Sequence, residues 1–267
     1  MNYKTLPLAI LFAAASISCG TNFYQVYQTQ SESVKTKTGN VLSYENEHCR
    51  VDYDLWAENG NIGFTLYDKT NETIRLQLDE SFYVMNGVAH DYFQNRTFIS
   101  GNNSVVSKSA GVGFGRYGVV NTFSSTIVDS KTNGVEITES KIISIPPKTA
   151  KRISEYDIIR SLYRDCDLLR FPSARKVRTK SFTADNSPLK FYNAISYTVG
   201  SNEVHQKITN DFYVTGITNY PEKELLKSVR LEFCGEKDPM AKKVLTGAAA
   251  DKFYLKYQKK ESNNRKY

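Results

Sequence analysis

A chain of 267 residues with 40% hydrophobic and 12% aromatic side chains can build a packed core, which excludes wholesale disorder and leaves one large domain or two small ones. The formal charge of +7 at pH 7 is a mild surplus that suits an anionic envelope surface. It is too small to point to nucleic acid, a partner not expected for a chain with an export-type N-terminus.

That N-terminus is read first. Lys4 supplies a positive charge, residues 6–18 form an apolar stretch of 13 residues, and Ser16-Ile17-Ser18-Cys19-Gly20 sets small side chains around a cysteine. The stretch is too short to cross a hydrocarbon core of about 30 Å, which needs roughly 20 apolar residues. The motif resembles a bacterial lipobox, with Ser16 where Leu is usual, a departure seen in Bacteroidota-type lipoproteins that end in Ser-Cys. The resemblance implies a signal peptide over 1–18, lipidation of the Cys19 thiol and anchoring to the membrane, each buried methylene contributing about 0.8 kcal/mol. Gly20-Thr21-Asn22-Phe23-Tyr24 lacks the acidic cluster that accompanies surface display in such families, so the expected address is the periplasmic face of the outer membrane.

Residues 19–40, rich in Ser, Thr, Gln and Lys, read as the lipidated cysteine and a flexible tether, with a β-sandwich domain over 41–257 and a basic tail over 258–267. Val51, Tyr53 and Leu55, then Ile62, Phe64 and Leu66, alternate with polar neighbours around Glu58-Asn59-Gly60-Asn61, predicting a hairpin. Ile74, Leu76 and Leu78 continue the period of two, and Asn86-Gly87 predicts a second hairpin between 82–85 and 89–93. Residues 100–134, with many Gly, Ser and Asn, predict a long loop or loosely held hairpin. Strand signals resume at 135–145 and stop at Pro146-Pro147, a candidate sub-boundary near 146–150.

Ile153, Tyr156, Ile159, Leu162, Tyr163, Cys166 and Leu169 fit a helical spacing, with a short strand at the start as the alternative. Further strands are expected over 189–198, 211–218, 229–234 and 253–257, with Asn219-Tyr220-Pro221 as a turn. The expected fold is mainly β: an antiparallel sandwich of immunoglobulin-like spacing with a long Gly/Ser-rich loop and one or two short helices. Phrases such as Asn59-Gly60-Asn61-Ile62-Gly63-Phe64, Ile145-Pro146-Pro147-Lys148 and Phe212-Tyr213-Val214 resemble ones that recur in Bacteroidota-type lipoproteins without an assigned activity, a resemblance that implies no catalytic residues.

No motif names a reaction. Gly113-Phe114-Gly115-Arg116-Tyr117-Gly118 satisfies GxGxxG, but the β-branched, Ser/Thr-rich stretch after it does not predict the helix that a dinucleotide loop must open. His48, His90 and His205 stand apart from any nucleophile motif, and Cys49, Cys166 and Cys234 lack metal-ligand spacing and allow at most one bridge, so no cofactor or metal is expected. Asp52/Asp54 and Asp165/Asp167, each two apart, could share a proton or hold a cation, against a solvent-facing strand for Asp52 and Asp54. Trp56, with Tyr67 beside Asp52 and Asp54, is the candidate ligand platform, since exposed aromatics stack on sugars or anchor proteins. Residues 148–180 carry ten basic groups against four acidic ones, a solvated face or a contact for acidic partners. The expectation is a noncatalytic envelope module that binds a protein or glycan; the alternative is a glycan-acting hydrolase or a carbohydrate-binding accessory protein.

Overall fold

The computed structural model describes residues 21–38, 41–100, 113–115, 118–120, 135–154 and 156–259. The signal segment, Cys19, most of the Gly/Ser-rich stretch and the tail beyond Lys259 lie outside the described residues.

Thirteen strands build two antiparallel sheets. In chain order they are β1 (Thr21–Gln30), β2 (Thr36–Thr38), β3 (Val41–Glu45), β4 (Cys49–Tyr53), β5 (Phe64–Asp68), β6 (Ile74–Met85) and β7 (Val88–Asp91). After them come β8 (Ile142–Ile145), β9 (Ala150–Ile153), β10 (Thr179–Ser181), β11 (Lys190–Val199), β12 (Gln206–Pro221) and β13 (Lys252–Lys259). The larger sheet runs β8-β6-β11-β12-β1-β13, with β7 on β6 and β10 on β12, and curls into a half-barrel; the smaller runs β9-β5-β4-β3-β2. The predicted β-sandwich is therefore present. Its connectivity departs from the immunoglobulin order, because four consecutive strands, β2 to β5, stay in one sheet instead of alternating between two.

The period of two decides what faces inward. Val51, Tyr53, Phe64, Leu66, Ile74 and Leu76 are all buried between the sheets, and the Tyr53 ring meets Phe212 of the opposite sheet edge-on at 5.2 Å. Two asparagines buried in this core are bonded to tyrosines through their side-chain oxygens, while Asn210 Nδ2 is left without a partner. Asn193 and Asn210 lie opposite each other on β11 and β12; Tyr92 Oη donates to Asn193 Oδ1 at 2.7 Å and Tyr53 Oη to Asn210 Oδ1 at 2.8 Å.

The two predicted turns diverge. Asn86 (φ 46°) and Gly87 (φ 83°) take the left-handed conformations of a type I′ turn and join β6 to β7, Met85 pairing with Val88. Asn59 (φ 66°) and Gly60 (φ 75°) do the same inside a longer connection, since β4 and β5 already close at Tyr53 and Phe64. That connection runs along β13 instead, with Asn59 N–H donating to Tyr254 O at 2.7 Å and Leu55 N–H to Ala250 O at 3.0 Å. Hydrogen bonds from the smaller sheet's longest loop thus seal one edge of the larger sheet.

Four sequence expectations are corrected. Residues 21–30 are not a tether: β1 lies between β12 and β13, and its residues Phe23, Gln25 and Tyr27 face inward and are buried. Gln25 read as solvated, yet its amide is fully bonded inside. Asn219-Tyr220-Pro221 is not a turn, because β1 claims it as strand, Tyr24 pairing with Tyr220. The helix expected from Ile153 is an irregular strap, with a single 3-10 turn at Ala174–Lys176; the short α-helix lies at Glu222–Leu225. Several of the strap's backbone groups bond to side chains of the sheet. Gln25 Oε1 accepts the Tyr163 N–H at 2.8 Å, Gln25 Nε2 donates to Tyr163 O at 3.0 Å, and Asn219 Nδ2 donates to Leu169 O at 2.8 Å. Ile158 and Leu168 of the strap are buried in the core cluster. Finally, the strand expected over 229–234 is broken into a hairpin arm, Leu226–Val229 pairing with Lys242–Leu245 and Glu232–Phe233 with Glu236–Lys237.

Ile145 before the double proline and Ile153 after it are buried in the same core cluster, so residues 146–149 carry the chain from one sheet to the other.

Candidate functional site

The four residues expected to form a ligand platform are split. Asp52 and Tyr67 do share the outer face of the smaller sheet, linked by Arg50, which pairs with Tyr67 across the β4–β5 ladder. Arg50 Nε donates to both carboxylate oxygens of Asp52 at 3.1 Å, and its guanidinium carbon lies 5.3 Å from the Tyr67 ring centre. Ser43 Oγ also donates to Asp52 at 2.7 Å. Asp54 and Trp56 lie beyond the end of β4, although burial still alternates there, with Leu55 buried between them. Asp54 Oδ1 accepts the Trp56 N–H at 3.1 Å, and the half-buried indole packs on Tyr254 of β13 at 5.0 Å, away from Tyr67.

The remaining ionisable candidates are tied into local structure. His48 Nδ1 lies 3.2 Å from Tyr197 Oη, and the His90 ring sits beside Tyr83 and Tyr156, where burial lowers its pKa from the ordinary 6.5. Asp165 and Asp167 both bind Lys180, at 2.6 Å and 3.1 Å. The Lys180 hydrogen bond holds the Asp165 carboxyl below its usual range. The downward shift works against a general-acid role, which needs a raised carboxyl pKa.

One cluster was missed by sequence reasoning because its members come from three strands or loops. Glu80 Oε2 accepts from Ser196 Oγ at 3.0 Å and lies 2.7 Å from His205 Nδ1. Ser, His and an acid are the parts of a hydrolytic triad, but the order is wrong: the carboxylate stands between the other two, and the Ser196 residue is buried. The His205 and Ser196 hydrogen bonds hold Glu80 below its usual carboxylate range.

Cys49, Cys166 and Cys234 are all free. Cys49 is buried, and desolvation pushes its thiol up to about 12, which leaves it unreactive. Cys166 and Cys234 are exposed, the latter at φ 52° in the tip turn of the arm. Among the described residues no three His, Cys, Asp or Glu side chains gather as a metal ion would need.

A shallow groove of about 330 Å³ includes Asp185, Lys190, Tyr192 and Asp211 in its walls. Asp211 is occupied there, accepting the Ser33 N–H at 3.2 Å.

The N-terminal end of β1 has its own geometry. Thr21 pairs with Lys259, Asn22 Nδ2 donates to Glu222 Oε1 at 3.2 Å, and Gln258 Nε2 donates to Asn22 Oδ1 at 3.0 Å. Cys19 is two residues away, a reach of about 7 Å at most. Compared with known proteins, the chain matches no family model, no curated protein and no solved structure.

Proposed function

We propose that this protein is a cell-envelope lipoprotein of the Bacteroidota type, anchored through lipid on Cys19 at the periplasmic face of the outer membrane, and that its sandwich is a noncatalytic module binding an envelope protein or glycan. The observation that carries the reading is the short distance between the lipobox-like cysteine and the first folded strand. With β1 opening at Thr21, a lipid on Cys19 holds the sheet end itself against the bilayer instead of dangling it on a tether.

The noncatalytic reading draws on how the candidate acids and bases are used. Asp52 is shared between Arg50 and Ser43, Asp165 is paired with Lys180, and Glu80 joins Ser196 to His205. Each carries out a structural task that a glycoside hydrolase's proton donor would have to abandon. The outer face of the smaller sheet is the better platform. It places Tyr67, Arg50 and Asp52 with Arg152 of β9, which stands opposite Thr65, in one mixed polar and aromatic surface.

The test is capture of the native protein from its membrane, with the co-purifying proteins and glycans identified by mass spectrometry. Tyr67→Ala with Arg50→Ala should lose the specific partner while keeping the fold; retention of every partner by the double variant would remove this face from the proposal.

A further inference from the structure

The hairpin arm carries the two most exposed large apolar side chains among the described residues. Phe233 is 83% exposed and Met240 75%, with Leu231 at 49% and Val229 and Val244 close behind. In the ladder Val229 stands opposite Lys242 and Val244 opposite Lys227, so one face of the arm carries two valines between two lysines. Such a face is costly in water and has no cover from the sandwich.

Where the arm starts is as telling as what it carries. Its base, Leu226 paired with Leu245, follows directly on the helical turn Glu222–Leu225, whose Glu222 bonds the second residue of β1. A separate loop brings Leu169 and Phe171, both exposed, to the same end. The Phe171 ring lies 5.2 Å from Phe23 and 6.0 Å from Tyr257, with Arg170 and Lys259 near its face at 4.9 Å and 5.9 Å. Two independent segments therefore converge on the strand end next to Cys19 with exposed apolar groups beside cations, the arm also carrying Glu232, Glu236 and Asp238, the last paired with Lys242 at 3.3 Å. The charge follows. Residues 226–267 hold eleven basic side chains against five acidic ones, and residues 19–225 are formally neutral.

We propose that this end of the sandwich, formed by the arm, the Leu169–Phe171 loop and the end of β13, is a membrane-contact surface that lies on an anionic phospholipid leaflet. Phe233, Met240 and Leu231 enter the headgroup and acyl boundary while Lys227, Arg230, Lys242, Lys243 and Lys259 meet the lipid phosphates. Cations paired with exposed rings suit this interface more than a protein partner's dry core, where charged groups are depleted. The proposal rests on the anchor reading for its orientation; with lipid on Cys19, the same end is already at the bilayer, and the surface fixes how the domain sits on it.

The experiment uses the chain from residue 19 with Cys19→Ser, so that no acyl chain contributes. Co-sedimentation is measured with vesicles of phosphatidylethanolamine containing phosphatidylglycerol, and with vesicles of phosphatidylcholine alone. Binding to the anionic vesicles should be stronger and fall with salt; Phe233→Ser with Met240→Ser should weaken it about tenfold or more without moving the thermal midpoint. Lys242→Gln with Lys243→Gln should weaken it and flatten the salt dependence, whereas Lys207→Gln, near the opposite end of β12, should not. Equal binding to both vesicles, or binding indifferent to the arm variants, would overturn the proposal. So would self-association in solution that Phe233→Ser abolishes, since a second copy would then be the cover. Because this chain carries no lipid, its result is separate from whether Cys19 is acylated, which lipid labelling of the full precursor reads on its own.

Discussion

The sandwich interior and the hairpin arm are built from similar residues used in opposite ways. Inside, Phe253 is fully buried and stacks on Tyr27 at 4.7 Å, and even amides such as Gln25 and Asn193 have their bonds made. On the arm, Phe233 and Met240 touch almost nothing and the turn holds an exposed thiol. A chain selected only to fold would not keep both patterns, because exposed apolar side chains add nothing to folding stability and invite association. The interior answers to stability and the arm to contact with something else.

The sharpest way to break this contrast is to truncate both sides. Phe253→Ala leaves a cavity against Tyr27 and Phe191 and should cost about 3–5 kcal/mol in chemical denaturation. Phe233→Ala should change stability by less than about 0.5 kcal/mol. Comparable losses at both positions would mean that the arm is part of the core.

Next in size is the clamp on the strap. Gln25→Leu removes the acceptor for the Tyr163 N–H and the partner of Asn219 Oδ1, and should cost about 1–3 kcal/mol. Limited proteolysis should then cut within residues 154–178 before the sheets unfold.

The pH response separates the regions without mutation. Glu80, Asp165 and Glu45 are held below their ordinary values by His205, Lys180 and Lys69 respectively, so their contribution is present above about pH 4.5 and is lost as pH falls through their lowered values. His90, lowered by burial, acts in the same direction but earlier: its neutral form is favoured above 6.5, and protonation on acidification opposes the fold. The thermal midpoint should be level around neutral pH, begin to fall below about pH 6.5 and fall faster near the carboxylate range. His90→Asn should remove the early limb alone.

The smallest effect is chemical. Thiol labelling of the native protein should reach Cys166 and Cys234, whereas Cys49 should label only on unfolding.

Sequence alternation carried β4, β5 and β6, where Val51 to Tyr53, Phe64 to Leu66 and Ile74 to Leu78 keep a period of two and Asn86-Gly87 sets a two-residue turn; β2 lay inside the expected tether and left no such signal. It failed at β1 and the strap together, and for one reason. Gln25 and Asn219 look like surface residues, and Ile153 to Leu169 look like an amphipathic helix, until the side chains of the first pair are seen to satisfy backbone groups of the second. A tertiary exchange of that kind leaves no local trace. The platform was legible as far as strand pairing reached, giving Asp52 beside Tyr67, and was lost at Asp54 and Trp56, where β4 ends and a loop redirects the indole onto β13. The Glu80, Ser196 and His205 cluster had no signal in one dimension. The arm had one: Leu231, Phe233 and Met240 interrupt a charged stretch without any buried counterpart.

The most direct measurement is metabolic labelling with a radioactive fatty acid, followed by membrane fractionation of the native protein and its Cys19→Ala variant. Native protein should carry the label and stay with the outer membrane through high-salt and carbonate washes; the variant should be unlabelled and released by the same washes, any residual hold through the arm being salt-sensitive. An unlabelled native protein, or a Cys19→Ala variant that remains in the washed membrane, would contradict the lipoprotein assignment.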